Sequence, residues 1–212
     1  MPALMHSPTV FDPDKNSSPR INSCASAMLL VKPDTKSGPA IFCRPSTSLF
    51  RPIFAFLIVE IGTRRIVHVG VTWSRTSAWT AQQLGSATPP EASPRFLVRD
   101  RDGKFGSDFD EVAAGAGNHV RVTPYKTPNV NTHCERLLGS VRRACLDHIL
   151  VVTQRQMLSV LSEYCRYYNR ARPHQGIAQR VPEARGVVEI AEGRVVETPV
   201  LGGLHHDYEM AA

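Results

Sequence analysis

The hydrophobic residues fall into runs of strand length in the first half of the chain. Ile53 to Val59 is a continuous apolar run, and Arg65 to Val71 is a second run rich in β-branched residues. The segment between them contains Gly62, so we predict two strands joined by a hairpin turn. Phe96 to Val98 is a shorter apolar run that predicts another buried strand.

Helical periodicity dominates after residue 130. Apolar residues recur every three or four positions and predict a helix with one buried face, formed by Cys134, Leu138, Val141, Cys145 and Ile149. Asn is a favoured N-cap, so this helix is predicted to begin at Asn131. A second helix is predicted from Gln154 to Asn169, burying Met157, Leu158, Leu161, Cys165 and Tyr168.

Shorter elements lie between these two regions. Thr76 to Leu84 predicts a helix that turns Trp79 toward the sheet. Ser107 is predicted to cap a helix through Ala114, because Ser is a good N-cap and acidic residues follow it. His119 to Val122 is predicted to be a strand.

Both ends of the chain lack this periodicity. Residues 1–50 are rich in Pro, Ser and Asn, and we predict an irregular N-terminal segment. Ala25 to Val31 is its only compact apolar stretch and is too short to assign. We therefore predict a core domain at 51–182 and an acidic C-terminal tail at 183–212. The adjacent His205 and His206 in that tail are not assigned to a metal.

Composition narrows the class of protein. The 212-residue chain has no apolar run near the roughly 20 residues that cross a membrane, and its N-terminus lacks a signal-peptide pattern, so we predict a cytoplasmic protein. Five cysteines without a C-x-x-C pair argue against a zinc site. Residues 121–185 hold eleven Arg and Lys against four Asp and Glu, which favours a nucleic-acid partner; a solvated helix surface is the alternative.

Two acids are candidates for chemistry. Asp100 follows the Phe96 strand, and Glu135 lies one position off the buried face of the first long helix. Carboxylates suit Mg²⁺ or Mn²⁺, and paired ions of this kind promote phosphodiester chemistry. The alternative is that Asp100 caps a loop and Glu135 is a solvated helix residue.

Three ordered segments resemble the integrase catalytic core of bacterial insertion-sequence transposases. They are FLVRDRDGKF, TPYKTPNVNTHCERLLGSVRRACLDHIL and YCRYYNRARPHQGI. That family uses a D,D,E carboxylate triad on a ribonuclease H-like fold. By resemblance Asp100 matches the second Asp and Glu135 the Glu, with 34 residues between them. The N-x-x-x-E-R pattern spans Asn131 to Arg136, and Y-N-x-x-R-P-H spans Tyr168 to His174.

The resemblance implies a fold and a function. We expect an α/β fold with a mixed sheet flanked by helices, and metal-dependent DNA cleavage and strand transfer during DNA integration. Asp100 and Glu135 would hold two Mg²⁺ or Mn²⁺ ions. Double-stranded DNA at element ends and targets would be the partner, within a homo-oligomer or a co-assembly with full-length transposase. The residues expected to contact DNA are Lys126, Arg136, Arg142, Arg143 and Arg172.

The chain departs from this family at the first catalytic Asp. Counting back from FRPIFAFLIVE places that Asp near Ile41, yet no acid lies between Asp34 and Glu60. Glu60 itself is predicted to be a turn acid. We therefore expect absent or very weak activity. The alternatives are a non-catalytic DNA-binding or interaction remnant of a transposase, and a metal-dependent nuclease on the same fold.

Overall fold

A five-stranded mixed sheet forms the centre of the protein. The computed structural model describes residues 25–31, 53–88, 94–99, 105–122, 128–183 and 193–211. The strands of this sheet are β1 (Ala25–Val31), β2 (Phe54–Glu60), β3 (Ile66–Thr72), β4 (Phe96–Arg99) and β5 (His119–Val122). Their order is β3-β2-β1-β4-β5, in which β1, β2 and β3 pair antiparallel and β4 and β5 continue parallel to β1.

Helices cover both faces of the sheet. They are α1 (Ser77–Ala87), α2 (Ser107–Gly115), α3 (Pro128–Ala144) and α4 (Gln154–Arg170). One face of β2 packs Leu57 against α3 and α4, and the other packs Phe56 against α1 and α2. Because β2 is buried on both faces, it reads as a continuous apolar run rather than an alternating one. Within the described ranges no helix is long and apolar enough to cross a membrane.

Several predicted boundaries are confirmed and others are wrong. Thr76 caps α1, as its side chain accepts a hydrogen bond from the Trp79 N–H at 3.1 Å. Helix α3 begins at Pro128 rather than Asn131, because Pro is well tolerated in a first helical turn. Gly106, not Ser107, is the N-cap of α2. Leu158 is exposed, since it lies about 60° around α4 from Leu161, just outside the edge of the buried stripe.

The stretch Ala25–Val31 corrects the prediction of an irregular N-terminal segment. It forms β1, the central strand of the sheet, with β2 on one side and β4 on the other. A seven-residue apolar run carries no periodicity that distinguishes a strand from a helix, so only these pairings identify it. The core therefore includes residues upstream of residue 51, and the other domain boundaries stay predictions.

The C-terminal region also differs from the predicted tail. β6 (Arg194–Val200) and β7 (His205–Ala211) form an antiparallel hairpin. Gly202 and Gly203 adopt positive φ angles of 67° and 94° in its turn, a conformation that glycine reaches without steric cost. The hairpin contacts the helices through two hydrogen bonds: the Leu201 N–H donates to Glu163 Oε1 at 2.6 Å, and His205 Nε2 donates to the Ala144 carbonyl at 2.5 Å.

Candidate functional site

Glu135 lies where the sequence predicted, one position off the buried face of α3. Cys134 and Leu137 on either side of it are each 3% exposed and anchor the helix in the core, whereas Glu135 is exposed. The buried neighbours fix the orientation of this helical turn, so the carboxylate is directed away from the core.

Strand β4 leads directly to Asp100. Asp100 and Lys126 lie outside the described residues, so their assigned roles stay predictions. Leu97 packs on the α1/α2 face, and Val98 packs on the face covered by α3 and α4. Pairing of Asp100 with Glu135 requires Asp100 to face the same side as Val98.

Strand β1 is the neighbour of β4 at the centre of the sheet. It pairs in parallel with β4, with Ala25 opposite Phe96 and Ala27 opposite Val98. The strand between β2 and β4 is thus Ala25–Val31, not one near Ile41 as expected from the sequence. Its residues, ASAMLLV, include no carboxylate.

The described residues do not complete a site for paired cations. Across the ranges that the structure covers, no group of three or more His, Cys, Asp or Glu side chains could hold a metal ion. Glu60 accepts a hydrogen bond from the Thr63 hydroxyl at 2.7 Å and lies 3.7 Å from the Arg65 guanidinium, which confirms it as a turn acid. Glu135 is the acid of α3, and the sequence of β1 contains no acid.

The arginines of α3 differ in their exposure and in their ion pairs. Arg136 and Arg143 are exposed. Arg142 forms an ion pair with Asp147, in which its Nε lies 3.3 Å from the carboxylate. Exposed pairs of this kind contribute little stability.

The motif from Tyr168 to His174 joins α4 to the sheet. The buried Asn169 side chain accepts from the Ile66 N–H and donates to the Ile66 carbonyl, both at 2.9 Å. His174 Nε2 donates to the Tyr168 carbonyl at 3.1 Å, and their rings are 4.2 Å apart. Arg172 donates to the Tyr164 hydroxyl at 3.3 Å. The sequence analysis marked this motif but missed the structural role of Asn169.

Burial changes the acid–base properties of this motif. Burial lowers the pKa of His174, and the charges of Arg172 and Arg64 add to that effect against the hydrogen bond to Tyr168. Burial also raises the pKa of Tyr168, although the charges of Arg172 and Arg64 oppose it. The motif is therefore a partly desolvated region in which cationic side chains lie close together.

Buried residues elsewhere match their predicted structural roles. Cys134, Cys145 and Cys165 are buried free thiols, and burial raises the pKa of Cys145 and Cys165 to about 12. They act as small hydrophobic residues. His68 in β3 is paired with Gln83, with Nε2 3.0 Å from Oε1, as expected for a sheet histidine with a partner.

An acid of α2 has a role that the sequence did not indicate. Asp110 lies in the first turn of α2, where the helix dipole favours an acid, and it also accepts a hydrogen bond from Arg99, whose Nη2 lies 2.8 Å from Oδ2. Arg99 is 9% exposed and ends β4, so this pair fixes the last residue of β4 against α2. A single sequence does not reveal that two residues eleven positions apart, Arg99 and Asp110, form an ion pair.

Comparison with known proteins agrees with this architecture. Residues 117–182 match the family described as the integrase core domain, a segment that contains Glu135 and the Tyr168–His174 motif. The structure resembles the HTLV-2 integrase catalytic core domain in complex with magnesium, with a TM-score of 0.54 and 10% identity over 76% of this chain and 94% of that chain. No curated protein sequence matches significantly.

A second solved structure supports the same assignment. A chain of the simian T-cell lymphotropic virus intasome, in complex with PP2A regulatory subunit B56 gamma, aligns with a TM-score of 0.57 and 12% identity. The match covers 88% of this chain and 66% of that chain. The fold is therefore the ribonuclease H-like fold of integrase catalytic cores, and the resemblance to such cores is confirmed. Origin from a bacterial insertion sequence stays a prediction.

Proposed function

We propose that this protein is an integrase/transposase-type catalytic core that binds duplex DNA but cuts it weakly or not at all. One observation carries the proposal: β1, the central strand next to β4, contains no carboxylate. The fold and the matched segment support a role in DNA integration. The missing acid supports impaired chemistry, because paired ions need several carboxylate ligands.

The roles assigned to the two acids follow from this proposal. Asp100 and Glu135 would be the carboxylates for Mg²⁺ or Mn²⁺, ions that when bound supply Lewis-acid stabilisation to phosphodiester chemistry. Since β1 lacks the remaining acid, we propose an incomplete ion site and a protein that binds DNA without efficient cleavage.

The DNA surface would lie along α3 and the end of α4. Arg136 and Arg143 are exposed and available to backbone phosphates, and Arg142 would exchange Asp147 for one. Arg172 also holds the Tyr164 hydroxyl, so it has a positioning role as well. Lys126 is proposed to contact phosphate from the segment before α3.

The proposed partners and location complete this assignment. The protein would act in the cytoplasm on element ends or target DNA. It would form a homo-oligomer or co-assemble with an active transposase. A non-catalytic remnant is the second candidate, and the same acid-free β1 favours it.

Cleavage and binding measured on the same DNA test the proposal. The full chain is incubated with Mn²⁺ and a labelled duplex made from the DNA that flanks the gene, with Asp100→Asn and Glu135→Gln as comparisons. We expect salt-dependent binding with little cleavage. Robust cleavage abolished by Asp100→Asn would overturn the claim of impairment. Absence of any DNA binding would overturn the DNA role, and cleavage of RNA–DNA hybrids without strand joining would identify a nuclease.

A further inference from the structure

The side chain of Arg143 lies back along α3 and over a glycine. A Cβ at Gly139 would meet the Arg143 guanidinium, with Nη1 at 2.8 Å, Nη2 at 2.9 Å and Cζ at 3.2 Å. Real Cβ atoms essentially never lie within 3.0 Å of such a neighbour. The guanidinium therefore occupies the space that any other residue at position 139 would fill with its side chain.

This arrangement follows from the geometry of the helix. Side chains in an α-helix lean toward its amino end, so Arg143 extends over the residue four positions before it. That residue is Gly139, which is itself four positions after Glu135. The Cβ positions of residues four apart on a helix are separated by about 6 Å. The guanidinium thus lies about one turn of α3 from Glu135, although the backbone of Arg143 is about two turns away.

Other structural needs do not account for a glycine in this helix. Gly139 does not have the positive φ angle found at Gly117, Gly202 and Gly203, so its backbone conformation is open to any residue. A glycine inside a helix is also less favourable than an alanine. Apart from the backbone of α3, the three atoms nearest to a Cβ at this position all belong to Arg143. Space for the guanidinium is therefore what the glycine provides.

The helix dipole does not explain where the guanidinium lies. Arg142 and Arg143 both belong to the last turn of α3, where the dipole favours cations. Arg142 stays near that end, because its Nε lies 3.3 Å from the carboxylate of Asp147. The Arg143 side chain is exposed and turns the other way, toward the middle of the helix and Glu135. The two adjacent arginines thus place their charges at different points along α3.

We propose that Gly139 is a positioning residue, which lets Arg143 hold a DNA phosphate about one turn of α3 from Glu135. This inference rests on the proposed DNA-binding function and adds Gly139, which the sequence analysis did not select. A guanidinium presents a planar set of donors that matches phosphate oxygens, and it keeps its charge at ordinary pH. A side chain at position 139 moves the guanidinium away from Glu135 at little cost to the fold, because the displaced atoms are the far end of a flexible, exposed side chain.

Alanine at position 139 separates the position of the guanidinium from the stability of the helix. The full chain is titrated into a fluorescent DNA duplex, made from the DNA that flanks the gene, at several NaCl concentrations. Affinity and the slope of log affinity against log salt are measured for Gly139→Ala, Arg143→Gln and the double variant. Gly85→Ala is the matched control, because it makes the same change inside α1, where the new Cβ lies at an ordinary contact distance of 3.7 Å from Val112.

We expect Arg143→Gln to lower the slope by about one and to weaken binding about tenfold at 0.1 M salt, the effect of losing one phosphate contact. Gly139→Ala should weaken binding by about threefold or more, because the displaced guanidinium loses part or all of that contact. It should have no further effect when Arg143→Gln is present. Its urea midpoint should equal or exceed that of the unmodified protein, because Ala favours a helix more than Gly does. Gly85→Ala should bind DNA as the unmodified protein does.

Three results overturn the role of Gly139 and leave the proposed function standing, as long as the unmodified protein binds the duplex. Unchanged binding by Gly139→Ala would show that the position of the guanidinium does not matter. An equal loss from Gly139→Ala with and without Arg143→Gln would show that the effect does not pass through Arg143. A urea midpoint below that of the unmodified protein would assign the glycine to the packing of α3. If the unmodified protein does not bind the duplex at any salt concentration, both the role of Gly139 and the proposed function fail.

Discussion

Asn169 offers a sharp test of how α4 is attached to the sheet. β3 is an edge strand, and the backbone N–H and C=O of Ile66 both bond to the Asn169 side chain at 2.9 Å. The amide thus replaces the strand that the edge lacks, and Asn169 is only 7% exposed. Substitution Asn169→Ala removes both partners and leaves two buried backbone groups without them.

The expected loss follows from these two bonds. Leaving one buried polar group unsatisfied costs about 1–3 kcal/mol, so two such groups should lower the unfolding free energy of the variant by about 2–6 kcal/mol. With an m-value of about 2 kcal/mol per molar urea, a loss of 3 kcal/mol lowers the urea midpoint by about 1.5 M. Equilibrium urea unfolding followed by far-ultraviolet circular dichroism measures this shift.

A neighbouring residue provides the control. Arg170 is the next residue on α4, its side chain is 64% exposed, and it pairs with Glu183 at 3.0 Å. Arg170→Ala should cost less than about 1 kcal/mol, as expected for an exposed ion pair. If Asn169→Ala also costs less than about 1 kcal/mol, the clamp on Ile66 is not a significant source of stability, and our account of the motif is refuted.

Two further predictions concern buried residues. Burial lowers the pKa of His174 below its usual value of 6.5, so as pH falls the unfolded chain binds a proton before the folded protein does. The free energy of unfolding should therefore decrease as pH drops below about 6.5. His174→Gln should flatten this pH dependence, as measured by urea unfolding at several pH values. Burial raises the pKa values of Cys145 and Cys165 to about 12, so both thiols should resist alkylation at pH 8 in the native protein and react once it is unfolded. Mass spectrometry of the labelled protein locates the modified residues. Rapid labelling of the native protein would contradict their burial.

Much of the fold could be predicted because burial leaves periodic marks in the sequence. The apolar run of β2 reflects a strand buried on both faces, and the three- and four-residue spacing of α3 and α4 reflects one buried stripe each. The position of Glu135 beside Cys134 followed from that spacing and is confirmed.

The elements that were missed depend on contacts distant in sequence. β1 is a strand because β2 and β4 pair with both of its edges, and no local pattern in Ala25–Val31 records those pairings. Both faces of the β6–β7 hairpin are exposed, as shown by the adjacent residues Val195 and Val196, which lie on opposite faces and are 58% and 43% exposed. It therefore lacks the apolar alternation that identifies a strand packed on a core.

The candidate carboxylates were selected by motif, and their roles stay predictions, whereas the identity of the central strand is known only from the fold. Resemblance selected Asp100 and Glu135, but it placed the missing acid near Ile41, ten residues beyond the end of the strand that occupies the position. Distances along a chain cannot reveal which strand enters the centre of a sheet. The pairing of β1 with β4 supplied that information.

The β6–β7 hairpin contacts the carboxyl end of α3, the helix that carries Glu135 nearer its other end. His205 stacks on the Tyr167 ring, with centroids 4.6 Å apart, while it bonds the last residue of α3 through Ala144. A helix behaves as a stiff rod over this length. A protein that binds the exposed strands β6 and β7 would therefore act on the carboxyl end of α3, the same helix that carries Glu135.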